Sequence, residues 1–140
     1  MISKHLKRIA ADSNVLLSAV IGKAALRILI HPEIEVITTH FNIGEISEYL
    51  PQLASKYELD LTTLMLQLQM MPVTLFKESD YKSEIPKAEK FMEGRDLDDK
   101  HLLALALKEN VSIWSNDKDF ENLPIPVYST AHLLKILEAS

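Results

Sequence analysis

The stretch Ile9-Ala10-Ala11-Asp12-Ser13-Asn14 joins a short apolar run to an acid, a hydroxyl and an amide. Residues 7–11 predict a buried strand, and the three polar residues after it are typical of a helix N-terminus. The other predicted strands are also short: residues 35–39, 73–76, 111–115 and 126–128. Segments with apolar residues at spacings of three and four separate them and predict helices. This alternation predicts an α/β fold, a three-layer sandwich with a central, mainly parallel sheet and helices on both faces.

Two of the predicted helices bear directly on function. The helix over residues 41–57 contains Pro51, which we expect to kink or split it. The helix over residues 98–110 has a broad apolar face and opens on acids. A third, charged helix is predicted over residues 82–93. We expect the strand that leads to Asp12 to lie centrally, beside the strand that ends at Ser115.

Length and composition indicate one globular domain, residues 1–140. The chain has no cysteine, which excludes disulfides and thiolate metal sites. No apolar run is long enough to cross a membrane, so we expect a cytoplasmic protein without membrane contact. The net charge of −5 disfavours general nucleic-acid binding, unless acids are gathered around a bound cation.

Acidic residues follow apolar runs or open helices at four places in the chain. They are Asp12, then Glu45, then Asp96 with Asp98 and Asp99, then Asp117 with Asp119. Each acid alone has a simpler explanation. A helix cap explains Asp12 and the cluster at 96–99, a turn explains Asp117 and Asp119, and a solvated helix surface explains Glu45. Together they are expected at one end of the sheet, since ligands of parallel α/β sheets bind beyond the carboxyl ends of the strands. Gathered carboxylates repel one another unless a cation lies between them, and an all-oxygen ligand set suits Mg²⁺ or Mn²⁺.

Two of these positions have competitors nearby. Glu48 lies one helical turn beyond Glu45, which we prefer because it is nearer the strand end. Among Asp96, Asp98 and Asp99, the residue spacing alone leaves the principal ligand open.

The set Asp12-Ser13-Asn14, Glu45, the run from Asp96 to Ala106 and the run from Ser115 to Phe120 resembles the PIN-domain ribonucleases. The similarity spans nearly the whole chain and looks closest to the single-domain VapC-type toxins. It implies that the family's acidic quartet, catalytic and metal-binding, is matched by Asp12, Glu45, Asp99 and Asp117. Asn14, Asp96, Ser115 and Asp119 are supporting candidates.

The resemblance implies a PIN-like nuclease, an Mg²⁺- or Mn²⁺-dependent endoribonuclease that hydrolyses RNA phosphodiester bonds. It also implies a homodimer and, if the protein is the toxin of a toxin-antitoxin pair, a small antitoxin partner. The nucleic-acid-binding residues are not defined by the sequence. Basic residues considered for the RNA backbone are Lys4, Arg8, Arg95 and Lys118.

Three alternative functions are compatible with parts of this pattern. A PIN-like module could bind RNA or a protein without cleaving it. A haloacid-dehalogenase-like phosphatase would need a second Asp two residues after the first, where this chain has Asn14. A signalling receiver domain would need an acceptor Asp after its third strand and a late lysine before a proline. The stretch Lys77-Glu78-Ser79-Asp80 after the third predicted strand offers no clear acceptor.

Overall fold

The computed structural model describes residues 2–22 and 24–139, which form a five-stranded sheet with helices on both faces. The strands are β1 (Arg8–Ala11), β2 (Glu35–Thr39), β3 (Val73–Phe76), β4 (Ser112–Trp114) and β5 (Val127–Tyr128). Their order in the sheet is β3-β2-β1-β4-β5, and all neighbouring pairs are parallel. The predicted fold class is therefore confirmed, including the central place of β1 beside β4. Receiver domains have the order 2-1-3-4-5, so the observed order excludes that alternative.

Eight α-helices connect and cover the strands within the described residues. They are α1 (Ser13–Val20), α2 (Ala24–Leu29), α3 (His40–Tyr57), α4 (Leu61–Gln69), α5 (Glu78–Tyr81), α6 (Ile85–Phe91), α7 (Lys100–Glu109) and α8 (Thr130–Ala139). Short 3-10 turns lie at Lys4–Leu6, Lys82–Glu84, Leu97–Asp99 and Lys118–Phe120. In residues 2–22 and 24–139, no helix has the length and apolar character needed to span a membrane.

Two predicted helices differ from those observed. Pro51 does not split α3, which continues through it, because Ile46, Leu50 and Leu53 are buried on both sides of the proline. The single helix predicted over residues 82–93 is wrong. That segment is a 3-10 turn followed by α6, which begins at Ile85 so that Pro86 falls in the first turn, where its missing N–H costs nothing.

The side chains of the central strands alternate between two cores. Ile9 and Ala11 of β1 pack into the core formed with α1, α2, α3, α4 and α8, and Ala10 packs into the core formed with α5, α6 and α7. Helix α7 is anchored firmly, since every residue from 101 to 106 is buried. This anchoring fixes the position of the acidic turn Leu97–Asp99 that precedes it.

Candidate metal centre

Asp12 follows β1 and caps α1, as the helix-cap explanation predicts. It also makes a contact that a cap does not require. Its Oδ1 accepts a hydrogen bond from the backbone N of Val15 at 2.9 Å. Its Oδ2 accepts a hydrogen bond from the hydroxyl of Ser115, which follows β4. Asp12 is only 4% exposed, and burial raises its pKa despite these hydrogen bonds. The side chain is therefore held rigidly between the two central strands.

Glu45 lies in the second turn of α3 and faces α1. The Ser13 hydroxyl donates to Glu45 Oε1 at 2.7 Å. Burial raises the pKa of Glu45, opposed by that hydrogen bond and supported by the charges of Asp98, Asp96 and Asp12. The pKa of Glu45 is thus raised by acids from two other parts of the chain, the end of β1 and the turn before α7.

Asp99 is the last residue of the 3-10 turn before α7. Its Oδ2 is buried and has no hydrogen-bond partner. Burial raises the pKa of Asp99 to about 7, and the carboxylates of Asp96, Asp117, Asp12 and Asp119 contribute further. An acceptor oxygen in this state fits a cation ligand, because a cation would compensate both the desolvation and the repulsion.

Asp117 and Asp119 belong to the segment that follows β4. The backbone N of Asp117 donates to Ser115 Oγ at 2.9 Å, and Asp117 Oδ1 accepts from the backbone N of Asp119 at 2.9 Å. One carboxylate oxygen from each of Asp99, Asp117 and Asp119 lies within 4.8 Å of the others. These three oxygens are close enough together to contact one ion.

All of the candidate acids except Asp98 and Asp119 line one open cavity of about 560 Å³ at the carboxyl edge of the sheet. The four residues proposed as the quartet and the supporting residues Asn14 and Asp96 all contribute to its wall: Asp12, Asn14, Glu45, Asp96, Asp99 and Asp117. Glu48, the competitor of Glu45, lines it as well, whereas Asp98 does not. The structure thus brings together all four acidic places in the sequence.

The donors that hold these carboxylates are neutral. Backbone N–H groups and the hydroxyls of Ser13 and Ser115 supply them. Across residues 2–22 and 24–139, no ion pair involves Asp12, Glu45, Asp99 or Asp117. The acidic charge is therefore held in place without being neutralised, and an all-oxygen set of this kind fits a hard divalent cation.

Two of the basic residues considered for RNA are engaged elsewhere. Arg8 lies at the opposite edge of the sheet, where it pairs with Glu35 at 3.3 Å and Glu109 at 2.7 Å. Arg95 Nη1 donates to the backbone carbonyls of Asp119 and Glu121, each at 2.6 Å. Arg95 therefore fastens the loop after β4 to the turn before α7, and its role in the site is structural.

One buried polar residue next to the site was not predicted from the sequence. Asn42, in the first turn of α3, is 4% exposed, and its side-chain amide contacts Ser13. The available clue was an amide three residues before Glu45, which puts both on one face of the helix. Residue spacing does not reveal that Ser13 lies between them.

Comparison with known proteins identifies the class to which this fold and site belong. The PIN domain family model matches residues 10–137. That match covers well over half of the chain, so the chain belongs to the PIN domain family. A comparison with curated protein sequences finds no match.

Solved structures share the fold at low sequence identity. PAE2754 from Pyrobaculum aerophilum superposes with a TM-score of 0.69 at 16% identity, covering 99% of this chain and 93% of that one. A toxin-antitoxin complex from Klebsiella pneumoniae gives 0.63 at 19% identity, over 87% and 97% of the two chains. VapBC2 from Rickettsia felis, bound to a DNA fragment from its promoter, gives 0.68 at 11% identity, over 87% and 98%. The structural neighbours therefore include toxin-antitoxin proteins.

Proposed function

We propose that the protein is an Mg²⁺- or Mn²⁺-dependent endoribonuclease that hydrolyses RNA phosphodiester bonds, with residues 1–140 acting as one PIN nuclease domain. The observation that carries the proposal is the buried, unpartnered Oδ2 of Asp99 in a cavity that five other acids also line. Membership of the PIN domain family supports it, since that family is generally one of nucleases. The proposed metal ligands and catalytic residues are Asp12, Glu45, Asp99 and Asp117.

A divalent cation bound there would supply an acidified water as nucleophile and would neutralise charge that develops on the scissile phosphate. The protein contributes placement. Ser115 and the N-terminus of α1 hold Asp12, and Ser13 holds Glu45. No side-chain nucleophile is required. Asp96, which lines the cavity, and Asp119, which has an oxygen within 4.8 Å of Asp99 and Asp117, add negative charge there and favour cation binding further.

The proposal includes two protein partners, a small antitoxin and a second copy of the chain. Toxin-antitoxin complexes among the structural neighbours support a role as the toxin of such a pair, with an antitoxin tail that occludes the acidic cavity. A separate, mainly apolar cavity of about 520 Å³ lies between α1, α2 and α4, and Met70 beside it is 79% exposed. Exposed apolar surface of this kind is typical of protein-protein contacts, and it supports an antitoxin or a second copy of the chain as a partner.

The decisive experiment measures cleavage of a mixed pool of structured RNAs with Mn²⁺, Mg²⁺ or EDTA. We expect cleavage with either metal, none with EDTA, and a loss of at least 100-fold in Asp12→Asn and Asp99→Asn. Asp98→Asn is the matched control, because Asp98 lies on the same turn as Asp99 but outside the cavity. Undiminished cleavage by Asp12→Asn would refute the site. Tight RNA binding without cleavage under any metal would favour the non-cleaving module instead.

A further inference from the structure

Four side chains form a continuous hydrogen-bonded chain beside the proposed metal centre. Thr39 Oγ1 donates to Asn42 Oδ1 at 2.5 Å, and Asn42 Nδ2 donates to Ser13 Oγ at 2.8 Å. Ser13 Oγ in turn donates to Glu45 Oε1 at 2.7 Å. The chain begins in the buried residues Thr39 and Asn42 and ends on a proposed metal ligand.

The direction of each hydrogen bond follows from the number of protons available. The Thr39 oxygen accepts from the backbone N of Asn42 at 2.9 Å, and the single Thr39 proton is directed at the amide oxygen of Asn42. The amide nitrogen of Asn42 therefore faces Ser13 and donates to one lone pair of the Ser13 hydroxyl oxygen. The orientation of the Asn42 amide is thus set by a residue outside the metal centre.

Ser13 has one proton and two acceptors within reach. Glu45 Oε1 lies at 2.7 Å, and the backbone carbonyl oxygen of Asn42 lies at 3.3 Å. The carboxylate is both the nearer and the charged acceptor, so it takes the proton. Because Ser13 contacts only Oε1, the hydrogen bond leaves Oε2 of Glu45 free for another ligand.

The same chain of contacts joins two helices across the cavity. Asn42 and Glu45 lie three residues apart on α3, whereas Ser13 begins α1 directly after Asp12. A contact from Asn42 to Ser13 therefore helps set the distance between the carboxylates of Glu45 and Asp12.

We propose that Asn42 is a positioning residue that acts through Ser13 to orient the Glu45 carboxylate toward the divalent cation. This inference rests on the proposed function, since it concerns the cation of that site. Asn42 itself contacts neither the cation nor the RNA. The effect of Asn42 on Glu45 is transmitted only through the Ser13 hydroxyl group. It should therefore disappear when that hydroxyl is removed.

The test is a double-mutant cycle with Mn²⁺ affinity as its readout, measured by isothermal titration calorimetry without RNA. The variants are Asn42→Leu, Ser13→Ala and the double variant. Side chains that hydrogen-bond to metal ligands typically contribute about 10- to 100-fold to the affinity for the metal. We expect each single variant to weaken Mn²⁺ binding about tenfold. The double variant should be no weaker than Ser13→Ala alone, a coupling of about 1.4 kcal/mol.

Controls separate positioning from general loss of structure. Thr38→Val removes a buried 2.8 Å hydrogen bond to the carbonyl of Ala11 without touching the chain of contacts, so it should lower stability and leave Mn²⁺ affinity unchanged. Thermal unfolding of every variant in EDTA shows whether it is folded. If Asn42→Leu does not fold, Asn42→Ser replaces it, because serine is polar yet too short to reach Ser13.

Each outcome decides between the two proposals. Loss of affinity in Asn42→Leu that persists at full size in the Ser13→Ala background overturns the positioning role, as does unchanged affinity. Absence of Mn²⁺ binding in the wild-type protein overturns the proposed function, and this inference with it. Binding in the wild type with additive effects overturns the inference alone.

Discussion

Asp99→Asn should stabilise the metal-free protein at alkaline pH. The folded protein keeps the Asp99 proton up to about pH 7, because the pKa of Asp99 is raised, whereas the unfolded chain loses it near the ordinary pKa of 3.8. The free energy of unfolding therefore falls as the pH rises from about 4 to 7 and stays low above that range. The full difference corresponds to roughly 4 kcal/mol at 1.36 kcal/mol per pH unit. Solvent at the open cavity screens part of it, so we expect a gain of about 2–4 kcal/mol in Asp99→Asn at pH 8.5.

Urea unfolding in EDTA at pH 8.5 and pH 4 measures this gain. Asparagine cannot ionise, and its amide can donate to the neighbouring carboxylates. At pH 4 the wild-type side chain is already neutral in the folded state, so the two proteins should differ little. The control is Asp98→Asn, an exposed residue of the same 3-10 turn, for which we expect a change below about 0.5 kcal/mol.

Two results would refute the reasoning. One is no gain in Asp99→Asn at pH 8.5, and the other is an equal gain at both pH values. Mn²⁺ should then close most of this difference in stability, because a ligand that binds only the folded state at 100 times its Kd adds about 2.7 kcal/mol. That increment is expected in the wild type and is absent in Asp99→Asn if Asp99 is a ligand.

Three further outcomes are expected. Mn²⁺ affinity should fall about tenfold for each pH unit below about 7, because the cation must displace the Asp99 proton; a flat calorimetric profile from pH 5.5 to 8 would contradict this. Arg95→Met should lower the free energy of unfolding in urea by about 1–3 kcal/mol and weaken Mn²⁺ binding, since the loop that carries Asp119 loses its charged donor. Unchanged values would mean that the loop keeps its conformation without Arg95. Leu103→Ala, at a fully buried position of α7, should cost about 2–5 kcal/mol by the same assay, and a smaller loss would mean that the core closes around the gap.

The strand positions could be predicted because they depend on short-range pattern. The β-branched run of β2 was predicted with its observed bounds, and the acids were expected at strand ends because parallel strands all end at one edge. Helix α5 (Glu78–Tyr81) was missed, since four residues give too few repeats for periodicity to appear. The start of α7 was predicted two residues early, because the three acids fit a helix N-terminus equally well before the 3-10 turn is known.

Long-range contacts account for most of what the sequence did not reveal. Arg8 and Glu109 are 101 residues apart, and Arg95 reaches carbonyls 24 and 26 residues away. Local sequence patterns do not distinguish a basic residue that binds RNA from one that binds a backbone carbonyl of the same protein. The same holds for Asn42, whose partner on α1 lies 29 residues earlier.

The choice of neutral donors around the acids is itself an argument for an exchangeable cation. A lysine or arginine paired with Asp12 or Asp99 would lower the electrostatic repulsion and stabilise the empty site. It would also compete with the metal for the same oxygens. Hydroxyl and backbone donors fix both oxygens of Asp12 and one oxygen each of Glu45 and Asp117 without cancelling the charge. Asp99 has an oxygen with no donor at all. The repulsion that remains destabilises the metal-free protein, and binding of a divalent cation would relieve it, so the same carboxylates that weaken the empty fold would provide the affinity.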